Sequence, residues 1–334
     1  MPKKAPSTAE RLLKIVDSLS QATVTVLGDI VADEFVFGEI ARVSREAPVL
    51  ILKHRERAVV PGGAGNAICN LAALGVSVLP VGVVGDDEPG RMLLDTFHHR
   101  HIPLSGIVKL PGYATVTKTR ILAGQAHTAR QQVVRLDREP EEEPGEETRR
   151  QLVANARKYV AASDALLISD YGYGAATPAM ANAVRTVGIP VTLDSRYRLL
   201  AFQRATAATP NEAEVEAALG TRIGNDAQRL VRAGNALLRK MRLESLVITR
   251  GRDGMAVFDR GRAPLHLPIH GSDQVADVTG AGDTVIATFT AALATGATAE
   301  DAARLANVAG GIVVMKSGTA TVSRDELRAA LEES

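Results

Sequence analysis

A glycine-rich turn at the start of a helical pattern is the segment best suited to chemistry. Gly280, Ala281 and Gly282 lead directly into apolar residues at helical spacing. The first N–H groups of a helix have no acceptor within it, and the helix dipole adds positive potential there. Small residues let a ligand approach this backbone closely, so the turn suits a phosphoryl group or another oxyanion.

An acidic residue, Asp283, lies in the same turn, where its carboxylate would repel a bound anion. One interpretation is a general base that takes the proton of an attacking hydroxyl group. The alternative is an ordinary first-turn acid favoured by the helix dipole. The neighbouring Gly280, Gly282 and Asp277 favour the general base.

A second glycine-rich segment, Gly62-Gly63-Ala64-Gly65-Asn66, follows Asp29 and Asp33 along the chain. Backbone, amide and carboxylate groups together supply the donors and acceptors that sugar hydroxyls need. The segment therefore suits a polyhydroxylated ligand. A tight turn that only begins a helix is the alternative.

These segments need a framework to position them, and alternating strands and helices predict one. The predicted strands are 23–27, 76–84, 165–168, 190–193, 245–249 and 255–258. The predicted helices are 9–19, 86–98, 147–160, 177–187, 211–218, 226–241, 281–295 and 299–315, with another from the Gly62 segment through Leu74. This alternation favours a mainly parallel sheet covered on both faces. Residues 34–60 predict short exposed strands that form a flap, with further β segments at 114–122 and 131–136.

The composition excludes several classes of protein. The 334 residues include 39 Lys+Arg and 38 Asp+Glu, which leaves a net charge of +1, and only 3% are aromatic. Nucleic acid is therefore not an expected partner. The single cysteine, Cys69, cannot form an internal disulfide, which favours a reducing compartment. No apolar run approaches the length of a membrane span, so we expect a cytoplasmic protein.

Other motifs for nucleotides and metals do not fit. No G-x-x-x-x-G-K-[ST] pattern occurs, and the near match to a dinucleotide fingerprint at 280–285 ends in Val285 and carries an acid. His98, His99 and His101 are expected at a solvated helix end rather than around a metal.

Taken together, the two glycine-rich segments resemble the two signatures of one family. The chain is similar to ribokinase-like carbohydrate kinases of the phosphofructokinase B (PfkB) type from about residue 23 to residue 323. The resemblance implies a three-layer α/β/α sandwich with a mainly parallel central sheet and a small β-sheet lid. It also implies a single kinase domain over 1–334, with the lid at 34–60 and part of 112–136, that uses ATP and Mg²⁺.

Within the family, several segments resemble bacterial D-glycero-β-D-manno-heptose 7-phosphate kinases. The segments are 28–33, 42–49, 117–120, 130–137, 169–171 and 209–214. The resemblance implies phosphorylation of the C1 hydroxyl of the heptose phosphate. Asp194-Ser195-Arg196 departs from the Asp-Pro-Lys of those kinases, and 124–128 is similar to a small insertion; both lie near the expected sugar site.

The resemblance also implies roles for particular residues. Asp283 is the expected base, and Gly280, Ala281 and Gly282 the expected anion hole. Substrate contacts are expected from Asp33, Gly62, Gly63, Asn66, Asp170 and Asp194. Because guanidinium is a planar fork of donors, Arg120, Arg130 and Arg196 are candidates for a phosphate on the sugar. The expected nucleotide contacts are Asn211, Thr249, Arg250, Gly251, Gly254, Thr279, Gly280, Gly282 and Asn307.

The same resemblance implies two cation sites and an assembly. Asn211 and Glu214 are expected to hold Mg²⁺ through water. A monovalent cation such as K⁺ is expected near Asp277, Thr279, Lys316 and Gly318. The apolar side chains of the flap need burial, which favours a homodimer in which two flaps pack together.

Three alternatives stay open at this point. The nearest alternative is another kinase of the same family that acts on fructose, ribose, a fructose phosphate or 2-keto-3-deoxygluconate, and the departure at Ser195-Arg196 keeps it open. A non-catalytic sugar- or nucleotide-binding regulator is possible on the same fold, although Asp283 argues against it. A dinucleotide-dependent oxidoreductase lacks the glycine fingerprint after its first strand.

Overall fold

The computed structural model of the chain describes residues 6–124, 131–271, 277–316 and 318–333. The strands are β1 Thr23–Gly28, β2 Ile30–Val43, β3 Leu50–Gly63, β4 Ser77–Gly85, β5 Ile107–Leu110, β6 Thr117–Gly124, β7 Gln131–Arg138, β8 Ala165–Asp170, β9 Val191–Ser195, β10 Ala207–Ala208, β11 Ser245–Thr249, β12 Met255–Asp259 and β13 Leu265–Leu267. The helices are α1 Thr8–Ser18, α2 Ala64–Ala73, α3 Glu88–His99, α4 Glu146–Val160, α5 Pro178–Val184, α6 Glu212–Leu219, α7 Ala227–Met241, α8 Ala281–Ala294, α9 Ala299–Val313 and α10 Arg324–Glu332.

A large sheet forms the centre of the fold, in the strand order β13-β12-β11-β10-β9-β8-β1-β4-β5. Its pairs are parallel from β5 to β11, and β12 and β13 add antiparallel strands at one edge. Parallel strands place their carboxyl ends at one edge of the sheet, where loops can bring distant residues together.

Two apolar clusters cover the two faces of this sheet. In β8, Leu167 packs into one cluster and Leu166 into the other, because successive side chains of a strand point to opposite faces. The first cluster includes Leu12, Ile68, Phe289 and Leu305, which belong to α1, α2, α8 and α9. The second includes Leu152, Met180 and Leu237, which belong to α4, α5 and α7. The predicted three-layer sandwich is therefore confirmed.

A second sheet of four strands, in the order β3-β2-β6-β7, forms the lid. β2 pairs antiparallel with β3 and parallel with β6, and β6 pairs antiparallel with β7. The sequence predicted short strands here, whereas β2 and β3 each run for 14 residues. Irregular pairing after Phe37 and Ile40 breaks the alternation of side chains, which explains why the pattern looked interrupted.

Most predicted elements match the structure, and the differences are local. α5 ends at Val184 rather than at 187. The sequence interpretation missed β5, β10 and β13, which are two to four residues long, and α10. Strands this short carry too few residues for a periodic signal. Within the described ranges, no helix combines the length and the apolar character that a membrane span requires.

Candidate active site

The start of α8 has the geometry expected of an anion site. Gly280 precedes the helix with φ 77°, a left-handed conformation that favours glycine, and no side chain caps the helix. The N–H of Thr284 closes the first turn on the carbonyl of Gly280 at 3.1 Å. The N–H groups of Gly282 and Asp283 lie before this bond and have no acceptor within the helix. They are therefore available to a ligand at the helix start.

The carboxylate of Asp283 is buried and held by two neutral donors. Asn66 Nδ2 donates to one oxygen at 3.0 Å, and the Tyr171 hydroxyl donates to the other at 2.7 Å. Burial raises the pKa of Asp283 to about 6, while both hydrogen bonds oppose that rise. A carboxylate whose pKa lies this close to neutral can accept a proton more readily than an ordinary aspartate.

Asn66 fixes the position of Asp283 relative to the helix start. It lies in the first turn of α2, directly after the Gly62 segment, and Nδ2 also donates to the carbonyl of Gly280 at 3.1 Å. Its Oδ1 accepts from Asn70 at 3.0 Å, which orients the amide. A Cβ on Gly280 would lie 2.4 Å from Asn66 Nδ2, so the two signature segments can approach this closely only with glycine there.

A second carboxylate, Asp33 on β2, lies near Asp283 and raises its pKa. Arg120 on β6 donates to Asp33 at 2.6 Å, and the hydroxyl of Thr319 lies 3.4 Å from its other oxygen. A Cβ on Gly62 would lie 2.3 Å from Asp33, which explains a glycine at that position. The lid therefore connects to the site through an ion pair, and Arg120 is already engaged by Asp33.

Two cationic side chains face the same region. Lys118 on β6 is buried, and its ammonium lies 5.2 Å from the ring centre of Tyr171. Burial, followed by the charge of Arg196, lowers the pKa of Lys118. Arg196 is exposed, and its charge also acts on Tyr171 and Glu214. Neither cation has a carboxylate hydrogen-bonded to it among the described contacts.

Asp194 lies at the carboxyl end of β9 beside Ser169. Burial raises the pKa of Asp194 well above its usual range, and the negative charges of Asp283 and Glu214 add to the rise. Asp194 is therefore brought close to Asp283, as the predicted sugar site requires.

Asp170, which was also predicted to contact substrate, has a different environment. Both of its oxygens accept from the guanidinium of Arg198, and Ser195 Oγ donates to one of them at 2.7 Å. The backbone N–H of Gly172 donates to the other at 3.1 Å. Asp170 is 1% exposed, and these contacts let it fix the 195–198 turn; its contact with substrate stays a prediction.

A largely apolar cavity lies on the opposite side of the α8 start. Five predicted nucleotide residues, Thr249, Gly251, Gly254, Gly282 and Asn307, line it together with Ala281. Met255, Ile269, Val285 and Val314 supply apolar walls. Such a cavity suits a flat heteroaromatic ring. Arg250 is not among the lining residues, because its guanidinium turns to Glu212 at 3.7 Å and Asp253 at 3.8 Å.

The predicted Mg²⁺ residues form the start of α6. Asn211 Oδ1 accepts from the N–H of Glu214, and Glu214 Oε2 accepts from the N–H of Asn211, both at 2.9 Å. Burial raises the pKa of Glu214, and the charge of Arg196 opposes the rise. Glu214 Oε1 can accept from a water on Mg²⁺, and Asn211 Nδ2 can donate to a phosphate oxygen, which fits a Mg²⁺ ion held mainly by water and phosphate. Among the described residues, no group of three or more His, Cys, Asp or Glu could hold a metal ion directly.

The predicted K⁺ residues are used differently. Asp277 accepts from the N–H of Thr279 at 2.9 Å and of Gly318 at 3.0 Å, which joins the loop before α8 to the loop after α9. Burial opposes these hydrogen bonds but they prevail, so the pKa of Asp277 is lowered. The ammonium of Lys316 binds Thr321 O at 2.7 Å and Glu326 at 2.6 Å. Lys316 therefore connects the end of the preceding loop to the first turn of α10.

The sequence interpretation overlooked several residues that the structure brings into the site. These are Tyr171, Lys118 and Thr319. Asp29, which the sequence placed with the second glycine-rich segment, supports the turn that carries Tyr171. Tyr171 follows the end of a buried parallel strand and lies in the segment 169–171 that resembles heptose 7-phosphate kinases, and these two signals could have identified it. Arg130 lies outside the described residues.

The arrangement joins two sites through one helix start. Gly282 and Ala281 border the cavity, and Asp283 in the same turn faces Asn66, Asp33 and the lid. A phosphate group at the N–H groups of this turn would lie between a ring in the cavity and a hydroxyl group near Asp283. A phosphoryl donor and an acceptor can therefore approach the same helix start from its two sides.

Comparison with protein families agrees with this geometry. The model described as "pfkB family carbohydrate kinase" matches residues 23–326. "Bifunctional protein HldE" of Geobacter sulfurreducens is 42% identical over 311 residues, which are 92% of this chain and 62% of that protein. Its namesake from Geobacter metallireducens is 43% identical over 307 residues, 90% of this chain and 61% of that protein. The chain thus spans about three fifths of the length of these curated relatives.

Solved structures show the same fold at low sequence identity. A ribokinase of Arabidopsis thaliana complexed with ribose and ATP has a TM-score of 0.72 and 19% identity, covering 93% of this chain and 99% of that one. Phosphofructokinase-2 from Escherichia coli in complex with potassium has a TM-score of 0.75 and 18% identity, covering 93% and 98%. These likenesses confirm the predicted ribokinase-like fold.

Proposed function

This chain belongs to the pfkB family of carbohydrate kinases, and on that basis we propose that it transfers the γ-phosphate of ATP to a hydroxyl group of a sugar. One observation carries the proposal. The first turn of α8 borders a largely apolar cavity through Gly282 and presents Asp283 to a polar cluster on its other side. A phosphoryl donor and an acceptor can therefore meet at one set of backbone N–H groups.

The cavity beside α8 is the proposed nucleotide site. Thr249, Gly251, Gly254 and Asn307 would surround the adenine, with apolar contacts from Met255 and Val285. Thr279 and Gly280 precede the N–H groups that would receive the phosphates. Arg250 would act indirectly, through its contacts with Glu212 and Asp253.

Mg²⁺ is proposed to lie near Asn211 and Glu214, held through water. When bound, it supplies charge neutralisation for the phosphates. A potassium site near Asp277, Thr279 and Gly318 stays a prediction. The complex of Escherichia coli phosphofructokinase-2 with potassium supports this prediction. The role of this chain's own residues is to fix the two loops that such an ion would join.

Proton transfer is the proposed task of Asp283. As the sugar hydroxyl attacks, its proton passes to the carboxylate, while the N–H groups of Gly282 and Asp283 stabilise charge on the transferring group. Asn66 and Tyr171 hold the carboxylate in place. Asp33, Gly63 and Asp194 are the proposed sugar contacts that set the hydroxyl near it.

D-glycero-β-D-manno-heptose 7-phosphate, phosphorylated at C1, is the proposed acceptor. The segments similar to heptose 7-phosphate kinases support it, as does the 42% identity to the relative named HldE. A sugar phosphate needs cations, and Lys118 and Arg196 are the proposed contacts because Arg120 is already paired with Asp33. Arg130 remains a prediction outside the described residues.

A panel of sugars with ATP and Mg²⁺ tests this proposal. We expect a higher kcat/KM for the heptose 7-phosphate than for fructose, ribose, fructose 6-phosphate or 2-keto-3-deoxygluconate. A higher value for a neutral sugar would contradict the acceptor but leave the kinase. ATP consumption no faster with any sugar than without would favour a non-catalytic binding protein instead.

A homodimer formed through the lids is the proposed assembly. Each copy is proposed to be a single kinase domain over 1–334, and the proposed location is the cytoplasm. Exposed apolar side chains lie on the lid strands and their connecting loop, at Val43, Val49, Val133, Val134 and Leu136. Burial of such a patch against a second copy would remove it from water. Sedimentation at micromolar concentration should show a dimer, and a monomer would contradict this assembly.

A further inference from the structure

A buried carboxylate that the proposed reaction does not use lies at the end of β1. Asp29 is 2% exposed, and its hydrogen-bond partners in the described residues are three backbone N–H groups of one turn. Tyr171 N donates at 2.8 Å and Tyr173 N at 3.1 Å to one oxygen, and Ala175 N donates at 2.8 Å to the other. Burying a carboxylate without a cation is unfavourable unless such donors compensate it.

The turn is shaped to surround this carboxylate. Gly172 has φ 85° and Gly174 has φ 90°, both in the left-handed region. With glycines in these conformations, the N–H groups of Tyr171, Tyr173 and Ala175 point toward the same side of the turn. Such a concave set of N–H groups binds an anion. Here the anion is the ionised form of the protein's own Asp29, which fixes the backbone of Tyr171 from within the fold. Burial raises the pKa of Asp29 to about 6, and the three N–H groups oppose that rise.

The side chain of Tyr171 extends from this fixed turn into the proposed active site. Its hydroxyl lies 2.7 Å from Asp283, and its ring lies beneath the ammonium of Lys118. A Cβ on Gly63 would come within 3.3 Å of the ring, so the Gly62 segment packs against the ring of Tyr171. Tyr171 therefore contacts Asp283, Lys118 of the lid and the Gly62 segment together.

We propose that Tyr171, held by Asp29, is a positioning residue that keeps the carboxylate of Asp283 ionised and oriented to accept the proton of the substrate. The hydroxyl can donate to the ionised carboxylate, and this bond weakens when the carboxyl group gains a proton. The inference rests on the proposed function, in which Asp283 is the general base. Burial raises the pKa of Tyr171 well above its usual value, so the hydroxyl remains a donor.

Other charged and titratable groups also face Asp283, and their effects must be separated from that of Tyr171. Asp33 from β2 raises the pKa of Asp283, and Lys118 from β6 lowers it. Asp194 from β9 interacts with Asp283 as a like charge. None of these groups changes when only the hydroxyl of Tyr171 is removed, which makes Tyr171→Phe a specific test.

The experiment compares the pH dependence of kcat/KM for wild type and Tyr171→Phe. Loss of the donor should raise the pKa of Asp283 above about 6, so the acid limb of the profile should move upward by about one pH unit. At pH 6 about half of the wild type but only about one in eleven of the variant would be ionised at Asp283, so the variant should be about fivefold slower, with most of the loss recovered at pH 8. A merely structural role would lower the rate equally at every pH.

Tyr173→Phe is the matched control. Tyr173 lies on the same turn and also near Lys118, but its hydroxyl donates to Glu139 at 2.9 Å. Its profile should match wild type. Asp29→Asn, which loses an anionic acceptor of the turn, should move the acid limb in the same direction as Tyr171→Phe. A wild-type limb in Asp29→Asn would remove Asp29 from the proposal.

Titration of ¹³C-labelled aspartate by NMR, with Asp283→Asn to assign the signal, measures the same pKa without substrate. An unchanged Asp283 titration in Tyr171→Phe would overturn the inference even in an active kinase. If the wild type phosphorylated no sugar but the titration still moved, the proposed function would fail, and the effect of Tyr171 on Asp283 would stand.

Discussion

Two buried aspartates at the same edge of the large sheet have opposite surroundings. Asp170 is 1% exposed and Asp283 is 5% exposed, so both are removed from water. Asp170 receives the guanidinium of Arg198, the hydroxyl of Ser195 and a backbone N–H. Asp283 receives only two neutral donors among the described residues, Asn66 and Tyr171. Both aspartates are thus buried, but Asp170 has a cationic hydrogen-bond partner and Asp283 has only neutral ones among the described residues.

The difference separates a carboxylate that organises the fold from one that can react. The guanidinium of Arg198 holds both oxygens of Asp170 in an ion pair, which fixes the turn that carries Arg198. Neutral donors orient a carboxylate with less effect on its basicity, and burial brings the pKa of Asp283 to about 6. A group with such a pKa can accept a proton in the transition state near neutral pH.

Asp283→Asn should have the largest effect on activity. The amide keeps the shape but cannot accept the proton, so kcat should fall by about 10²–10⁴. Steady-state kinetics with ATP and the preferred sugar from the panel measures this. KM for ATP should change little, since the cavity residues are untouched. A kcat within a factor of a few of wild type would remove Asp283 from the chemistry.

The same variant should be more stable than wild type at pH 7. The folded-state pKa of Asp283 is raised to about 6, so its contribution to stability is present below pH 4 and is lost as the pH rises through 6. Replacing the buried charge should therefore stabilise the protein at pH 7 by about 1–3 kcal/mol, with a smaller difference at pH 4. Urea unfolding at both pH values gives this difference, and a variant less stable at pH 7 would contradict the assignment of the charge.

The sequence predicted the main sheet well because its signals are local. Buried apolar runs such as 165–168 and helical patterns such as 281–295 lie within continuous segments, and the structure has β8 and α8 at those places. The lid was predicted less well. β2 pairs with β6 across more than 70 residues of chain, and no local pattern contains that pairing.

The two aspartates show the same limit at the level of the site. The glycine segment around Asp283 identified an anion site with an acid in it, and that inference needed only neighbouring residues. Tyr171, which donates to Asp283, is 112 positions away in sequence, and Arg198 reaches Asp170 only because the β9 turn folds back. Which acid receives a cation depends on the tertiary fold, so sequence reasoning predicted Asp283 as the base and Asp170 as a substrate contact without their direct partners.

Asp170→Asn should affect stability more than chemistry, which sharpens the comparison. Loss of the buried charge leaves Arg198 facing a neutral amide, and removal of one partner from a buried pair is strongly destabilising. Because Arg198 is 29% exposed and keeps some contact with water, we expect a loss of about 2–3 kcal/mol in the free energy of unfolding. Urea unfolding measures it, and kcat per folded molecule should fall less than tenfold.

The double variant Asp170→Asn/Arg198→Met is the control for this effect. With the cation also removed, no buried charge is left without its partner, so part of the lost stability should return. Loss of kcat by a hundredfold in Asp170→Asn, with unfolding unchanged, would instead place Asp170 at the reacting centre. The two aspartates would then act together, and the charge of a direct partner would no longer distinguish a structural carboxylate from a catalytic one in this site.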